Sequence, residues 1–323
     1  MIFRLHSKRL LILSGMLLMS CFRASLIRAQ TGKEVPRPSV EQGITLVESG
    51  HCSEALPLLK RTLSQTSEKT LRYRGEMATV RCAMALDQEQ TAVDTLLLLK
   101  RESPGDPEVL YISTHYFSEL GMRAAQQLQS VAPDSYQQHR LEAETLESQG
   151  KNTEAAAIYA KILESNPHTP GIHYRLGQIA LDQAGPNGST DAAKQEFQKE
   201  LDVDHSNASA EFILGELARR AAQWDEAIAH FSHAVKLDAG FSEARLALGM
   251  SLAATGKLAE AIMPLERYVK MQPEDPAGHY QLALAYSRTG NKDAATREMA
   301  LQAQAASRSK TARDTAEGHT VHP

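Results

Sequence analysis

The chain is poor in large rings: 5% of its 323 residues are aromatic, and it holds one Trp and three Cys. So few bulky side chains leave little to fill one large core, and they suit thin layers of helix packed on helix. Strand signal is almost absent. The most β-like run, Thr95-Leu96-Leu97-Leu98-Leu99, is Leu-rich rather than β-branched. The longest apolar stretch, Leu10 to Met19, is too short for a confident membrane span and is followed by Arg23. Recognisable catalytic signatures are missing too, with no Gly-rich phosphate loop, G-x-S-x-G elbow, H-E-x-x-H or C-x-x-C. The expectation is a protein that is not an enzyme and uses no cofactor and no metal.

What the chain does have is a period. Leu248-Gly249, Leu252, Gly256 and Ala261 recur 34 residues later as Leu282-Ala283, Tyr286, Gly290 and Ala295. Going back from Gly249, the same small-residue position falls at Gly215, Gly177, Ala143, Thr114, Val80 and Gly43, with gaps of 34, 38, 34, 29, 34 and 37. A repeat of this length marks an array of supersecondary units rather than one closed core. A small residue, an apolar residue three later and a Gly-type turn four beyond that outline a first helix and its stop.

Twelve residues after the small position stands an Ala: Ala55, Ala92, Ala155, Ala227, Ala261 or Ala295, with Ala193 four residues late. Four further on comes a bulky apolar side chain, Leu59, Leu96, Tyr159, Phe197, Phe231, Leu265 or Met299, on the same stripe of a second helix. Small residues let the two helices approach, and the large ones are expected to fill the groove between successive pairs. Prolines at Pro104, Pro167 and Pro273 close units.

This pattern resembles the tetratricopeptide-repeat (TPR) family. Tyr174-Arg175-Leu176-Gly177, Phe212-Ile213-Leu214-Gly215 and Trp224-Asp225-Glu226-Ala227-Ile228 carry the likeness most clearly. It is good over about 137–305 and looser over 39–136. The resemblance implies an all-α fold, a right-handed superhelical solenoid of about eight helix-turn-helix units. Degenerate units one to three span 39–135 and regular units four to eight span 136–308, with a disordered tail at 309–323. The third unit, around Thr114, lacks the usual Ala and is expected to have a shortened second helix.

Residues 1–29 read as a targeting segment, with Arg4, Lys8 and Arg9 before the apolar run and Arg28-Ala29-Gln30 at its end. Cleavage after Ala29 would leave 30–38 as a linker. Leu18-Met19-Ser20-Cys21 offers a competing lipoprotein reading, and an uncleaved anchor is a third; membrane association follows only if Cys21 is lipidated or the signal is kept. The expected location is the bacterial periplasm or secretion, with a membrane-anchored lipoprotein as the alternative. Because 1–29 hold five basic and no acidic residues, the remainder carries 30 basic against 39 acidic, a net of −9. An acidic array of this kind is no partner for nucleic acid.

Two cysteines remain after export, Cys52 in the turn into the second helix of unit one and Cys82 near the end of the first helix of unit two. The repeat register puts both at one end of packed helices. A disulfide in an oxidising compartment and two separate buried thiols are both open. His139, His173 and His279 all stand four before the small residue, and such repetition points to packing rather than ligation. His230 and His233 lie one turn apart, either a solvated edge or a weak metal pair with no third ligand.

Function is therefore expected from surface. In the family the first helices line a concave face. Transferring its positions gives Tyr174, Gln178, Leu181 and Asp182 in unit five and Phe212, Glu216, Arg219 and Arg220 in unit six. Leu246 and Met250 follow in unit seven, and Tyr280, Leu284 and Arg288 in unit eight. Aromatic and Arg side chains side by side are favoured at binding hot spots. The plain alternative is that Tyr174, Phe212 and Tyr280 shield contacts between helices. Phe212, Glu216 and Leu246 stand where one subgroup of the family has its Lys and Asn carboxylate clamp, so a reader of C-terminal tails is disfavoured. The expectation is an exported scaffold that binds a protein or peptide partner in envelope assembly or maintenance. An accessory or carrier subunit of an envelope polysaccharide enzyme is the alternative.

Overall fold

The computed structural model describes residues 38–185 and 188–318. The segment read as a signal, most of the linker after it and the last five residues lie outside the described residues. Among the described residues the elements are all helical. The first pair is α1 (Val40–Glu48) with α2 (Cys52–Thr62), and the second is α3 (Lys69–Ala85) with α4 (Glu89–Glu102). A single long helix follows, α5 (Pro107–Val131). Then come α6 (Tyr136–Ser148) with α7 (Asn152–Ser165), α8 (Ile172–Ala184) with α9 (Asp191–Val203), and α10 (Ala208–Arg220) with α11 (Trp224–Leu237). The last pairs are α12 (Ser242–Ala254) with α13 (Leu258–Met271), and α14 (Pro276–Arg288) with α15 (Lys292–Gly318).

Two compact bodies divide between Phe117 and Ser118, inside α5. The change from degenerate to regular pattern, expected at 136, is therefore not where the N-terminal body ends. Its first-half contacts explain this. The Tyr73 hydroxyl donates to Asp106 at 2.9 Å, and Arg81 donates to Glu108 at 3.2 Å, tying the start of α5 to α3.

Every pair except α8 with α9 turns at the same register. Seven residues after the small position, Gly50, Asp87, Gly150, Ala222, Gly256 and Gly290 all adopt positive φ, the left-handed residue that ends a helix and redirects the chain. Close approach at the small position is equally regular. A Cβ added to Gly43 or Gly249 would meet Leu59 or Leu265 at 2.5 Å, and one on Gly215 would meet Phe231 at 2.6 Å. At Gly177 the obstacle is Phe197, at 2.9 Å. The bulky residues thus seat on the small residue of their own pair, not in a groove between pairs, as the sequence reading had it. The core runs as a series of local clusters. One joins Ala143, Tyr159, Ile162, Ile172 and Ile179 across α6, α7 and α8, and the next joins Phe197, Ala210 and Leu214 across α9 and α10.

Three expectations need correction. The third unit has no second helix: Gly121 stands at the turn register, yet α5 runs through it. Helix formers follow from Met122 to Leu128, and Arg123 bonds Glu119 across the position at 2.6 Å. Together these outweigh the roughly 1 kcal/mol that Gly costs in a helix. Among the described residues the array is eight units as expected, seven of them helix pairs and the third a single unpaired helix. Secondly, Met299 is 45% exposed, because among the described residues no further pair follows α15 to close over it. Finally, the tail expected to be disordered from 309 is helical to Gly318, since Ala, Lys and Arg extend α15 one hydrogen bond at a time with no breaker.

Candidate partner-binding groove

Successive first helices α6, α8 and α10 present side chains to one depression of about 520 Å³ in the C-terminal body. Glu144, Glu147 and Ser148 come from α6 and Asn152 from the start of α7; Arg175, Gln178, Ile179, Leu181 and Asp182 come from α8 and Ile213 from α10. Local packing fixes most of the polar groups. The Tyr159 hydroxyl donates to Glu147 at 2.8 Å, and Arg175 reaches the same carboxylate at 3.8 Å. Burial first, then the bond to Glu147 and its charge, push the Tyr159 phenol well above its ordinary value, so it stays a donor. Gln178 donates to the Tyr174 hydroxyl at 3.3 Å, and the Tyr174 ring packs edge-on against Phe197. Arg140 holds Glu144 at 3.0 Å. Asp182 is exposed at the rim.

Three carboxylates against one guanidinium make this surface acidic, with the apolar Ile179, Leu181 and Ile213 between them. It offers charge-assisted acceptors and amide groups to an extended segment. Of the transferred positions, Gln178, Leu181 and Asp182 meet here, and Tyr174 braces Gln178. Glu144, Glu147 and Ser148 were missed, although the same offsets applied to Ala143 one unit earlier reach them. Arg175 and Ile213 stand two before the small residue, a register the transfer does not include.

The remaining transferred residues do not join this depression. Phe212 stacks on Phe231 and Phe241, with ring centroids 5.8 and 4.9 Å away, so it works between helices. Arg219 is engaged by both oxygens of Glu216, at 3.0 and 2.7 Å, and that bond raises its pKa. Leu246 packs into the core around Leu252 and Leu265. Arg220 at the end of α10 and Met250, Tyr280 and Arg288 on later helices are exposed, and Leu284 is half-buried.

The chain matches the family profile described as Tetratricopeptide repeat over four overlapping stretches, 140–209, 184–240, 214–267 and 246–310. The chain belongs to the tetratricopeptide-repeat family. No curated protein matches the sequence of this TPR chain. Similar solved structures include a crystal structure of MamA, 22% identical, with 52% of this chain and 96% of that one covered and a TM-score of 0.46. MamA from Desulfovibrio magneticus RS-1 is 17% identical, covering 53% and 95%, with a TM-score of 0.46. YrrB, described as a TPR protein with an unusual peptide-binding site, is 22% identical, covering 56% and 92%, with a TM-score of 0.48.

Cys52, Cys82 and four of the histidines are tied into the packing of the helices. Cys52 and Cys82 are joined with Cα atoms 5.0 Å apart, tying α2 to α3. In the fifth, sixth and eighth units, position four before the small residue forms a polar pair with a residue nineteen further on, shifted by four where the turn of α8 and α9 is longer. His173 meets Glu196 at 2.7 Å and His279 meets Glu298 at 2.6 Å; Glu211 meets His230 at 2.6 Å with the sign reversed. His233, whose side chain is 63% exposed, joins Glu211 at 3.2 Å, so His230 and His233 share a carboxylate at a solvated edge. Burial would raise the Glu196 carboxyl, but the bonds from Lys199 and His173 outweigh it and hold it below the ordinary value. Among the described residues no three His, Cys, Asp or Glu side chains gather as metal ligands.

Proposed function

We propose that this TPR protein is a non-catalytic scaffold that holds an extended protein or peptide segment along α6, α8 and α10. The observation that carries this reading is the depression of about 520 Å³ spanning three successive first helices, with Glu144, Glu147 and Asp182 set around a short apolar floor. Its charge favours a segment bearing Lys or Arg beside a small apolar residue, and stacked repeats present such surfaces along their length. The setting we propose is the bacterial envelope after export. The basic-then-apolar N-terminus ending at Ala29 supports this, and so does a cysteine pair of the kind that persists in oxidising compartments.

Affinity capture from the native envelope fraction, with mass spectrometry of the captured proteins, gives the partner. Asp182→Arg with Gln178→Ala should then weaken that partner at least tenfold while helicity and melting stay unchanged. Equal affinity would remove this groove from the reading. N-terminal sequencing of native protein should begin at Gln30, and a diacylated species beginning at Cys21 would replace soluble export with a lipid anchor.

A further inference from the structure

The second repeat lacks the polar pairing of the fifth, sixth and eighth. Glu76 stands four before Val80, the register of Glu211, and is only 5% exposed. Nineteen residues on, where the sixth repeat supplies His230, the second supplies Thr95. Thr95 does not serve the carboxylate, because its hydroxyl donates to the Thr91 carbonyl at 2.7 Å. The other nearby donors bond other acceptors. Arg72 gives Nε and Nη2 to the Thr66 carbonyl at 3.2 and 2.5 Å. Lys60 donates to Thr91 and Gln88 at 2.8 and 3.3 Å, and Thr79 to the Gly75 carbonyl at 2.8 Å. Glu76 is left with no hydrogen-bond partner. The residue is buried, yet its carboxylate oxygens still meet solvent, so a donor can reach them only from that side.

It does not face closed protein. Glu76 lies on the wall of a depression of about 530 Å³ bounded by α2, α3 and α4 in the N-terminal body. The charged groups around it are Lys60 on α2, Arg72 on α3 and the carboxylates of Asp94 and Glu102 on α4, so acidic groups outnumber basic ones. Burial, followed by the charge of Glu102, pushes the Glu76 carboxyl above its ordinary value, and Arg72 opposes this. We propose that this depression binds an organic cation, an alkylammonium or guanidinium group that donates to Glu76 as His230 does to Glu211. The cation comes from outside because Lys60 and Arg72, the cations already at the depression, bond other acceptors. It takes up the orphaned acceptor, and Asp94 and Glu102 add to the attraction. Because binding favours ionised Glu76, it releases a proton and strengthens as pH rises through the raised value.

The test uses the full exported chain with its glutamates labelled at the carboxyl carbon, Glu76 being assigned by the signal lost in Glu76→Gln. In one arm n-butylammonium and ethylguanidinium are titrated as free cations. In the other, an acetyl-Gly-Lys-Gly amide is compared with its Nε-acetyl-lysine form. A saturable shift of the Glu76 carbon, a lowered Glu76 pKa in the presence of the cation and at least tenfold weaker binding to Glu76→Gln are expected. Response to the free cations alone assigns the site to small amines. Response to the lysine peptide alone, lost on acetylation, assigns it to a side chain of a partner. No saturable response in either arm, or unchanged affinity in a folded Glu76→Gln, overturns the proposal. Asp182→Arg lies in the other body and should leave this response intact, which separates the site from the groove along α6, α8 and α10.

Discussion

The N-terminal body carries Leu59 and Leu96 at the bulky register, whereas three successive repeats of the C-terminal body carry Tyr159, Phe197 and Phe231, all fully buried. A ring buries more area than a Leu side chain and seats flat on a glycine or alanine, so the C-terminal pairs draw more stabilisation from the same register. The N-terminal body has a covalent tie between neighbouring repeats instead, Cys52 to Cys82. Its polar register also differs, since Glu76 is unpaired while Glu196, Glu211 and Glu298 each have a histidine. One scaffold thus distributes its stability through different positions in different repeats, which is possible because each repeat packs only on its neighbours.

The largest test of that contrast removes a ring. Phe231→Ala should destabilise the C-terminal body by about 4 kcal/mol, as large-to-small changes at closed sites do, and chemical denaturation should show the loss in that body's transition. Next in size is the tie. Replacing Cys52 and Cys82 by Ala frees a loop of 30 residues and should cost the N-terminal body about 3 kcal/mol on chain-entropy grounds. The same change should leave the C-terminal transition where it is. If both transitions move equally, the two bodies do not hold their stability separately.

Smaller effects sharpen the polar register. Glu196 is held below its ordinary value, so its contribution is present above the ordinary carboxylate range and is lost as pH falls through the lowered value. Wild-type protein should therefore lose about 1 kcal/mol more than Glu196→Gln between pH 6 and pH 3, consistent with one charge-assisted bond. The smallest expected effect is a gain. Thr95→His places a histidine where repeat six has His230, and should raise N-terminal stability by about 1 kcal/mol through a bond to Glu76. Unchanged melting of Thr95→His would show that the register alone does not bring the two side chains together.

Legibility followed the strength of local sterics. The small position, the bulky position and the turn are visible in sequence because each tolerates few residue types, and Gly177 against Phe197 shows why. The third repeat misled because Gly121 has turn character, and only the helix formers after it reveal that no turn forms. Glu144, Glu147 and Ser148 were within reach of the same register, yet nothing local marks which repeat will carry the depression. Phe212 looked like an anchor for a partner. Its ring instead lies against Phe231 and Phe241, a tertiary fact with no signature in the spacing.

The bond between Cys52 and Cys82 also sets how this chain responds to load. Under tension applied at the two ends, force passes through the sulfurs and bypasses α2, the short turn after it and most of α3. The 30 chain steps from Cys52 to Cys82 would span about 100 Å if drawn straight at roughly 3.4 Å each. That length stays hidden from any pulling force until a reductant opens the bond, so the oxidised and reduced arrays differ in reach by several helix lengths.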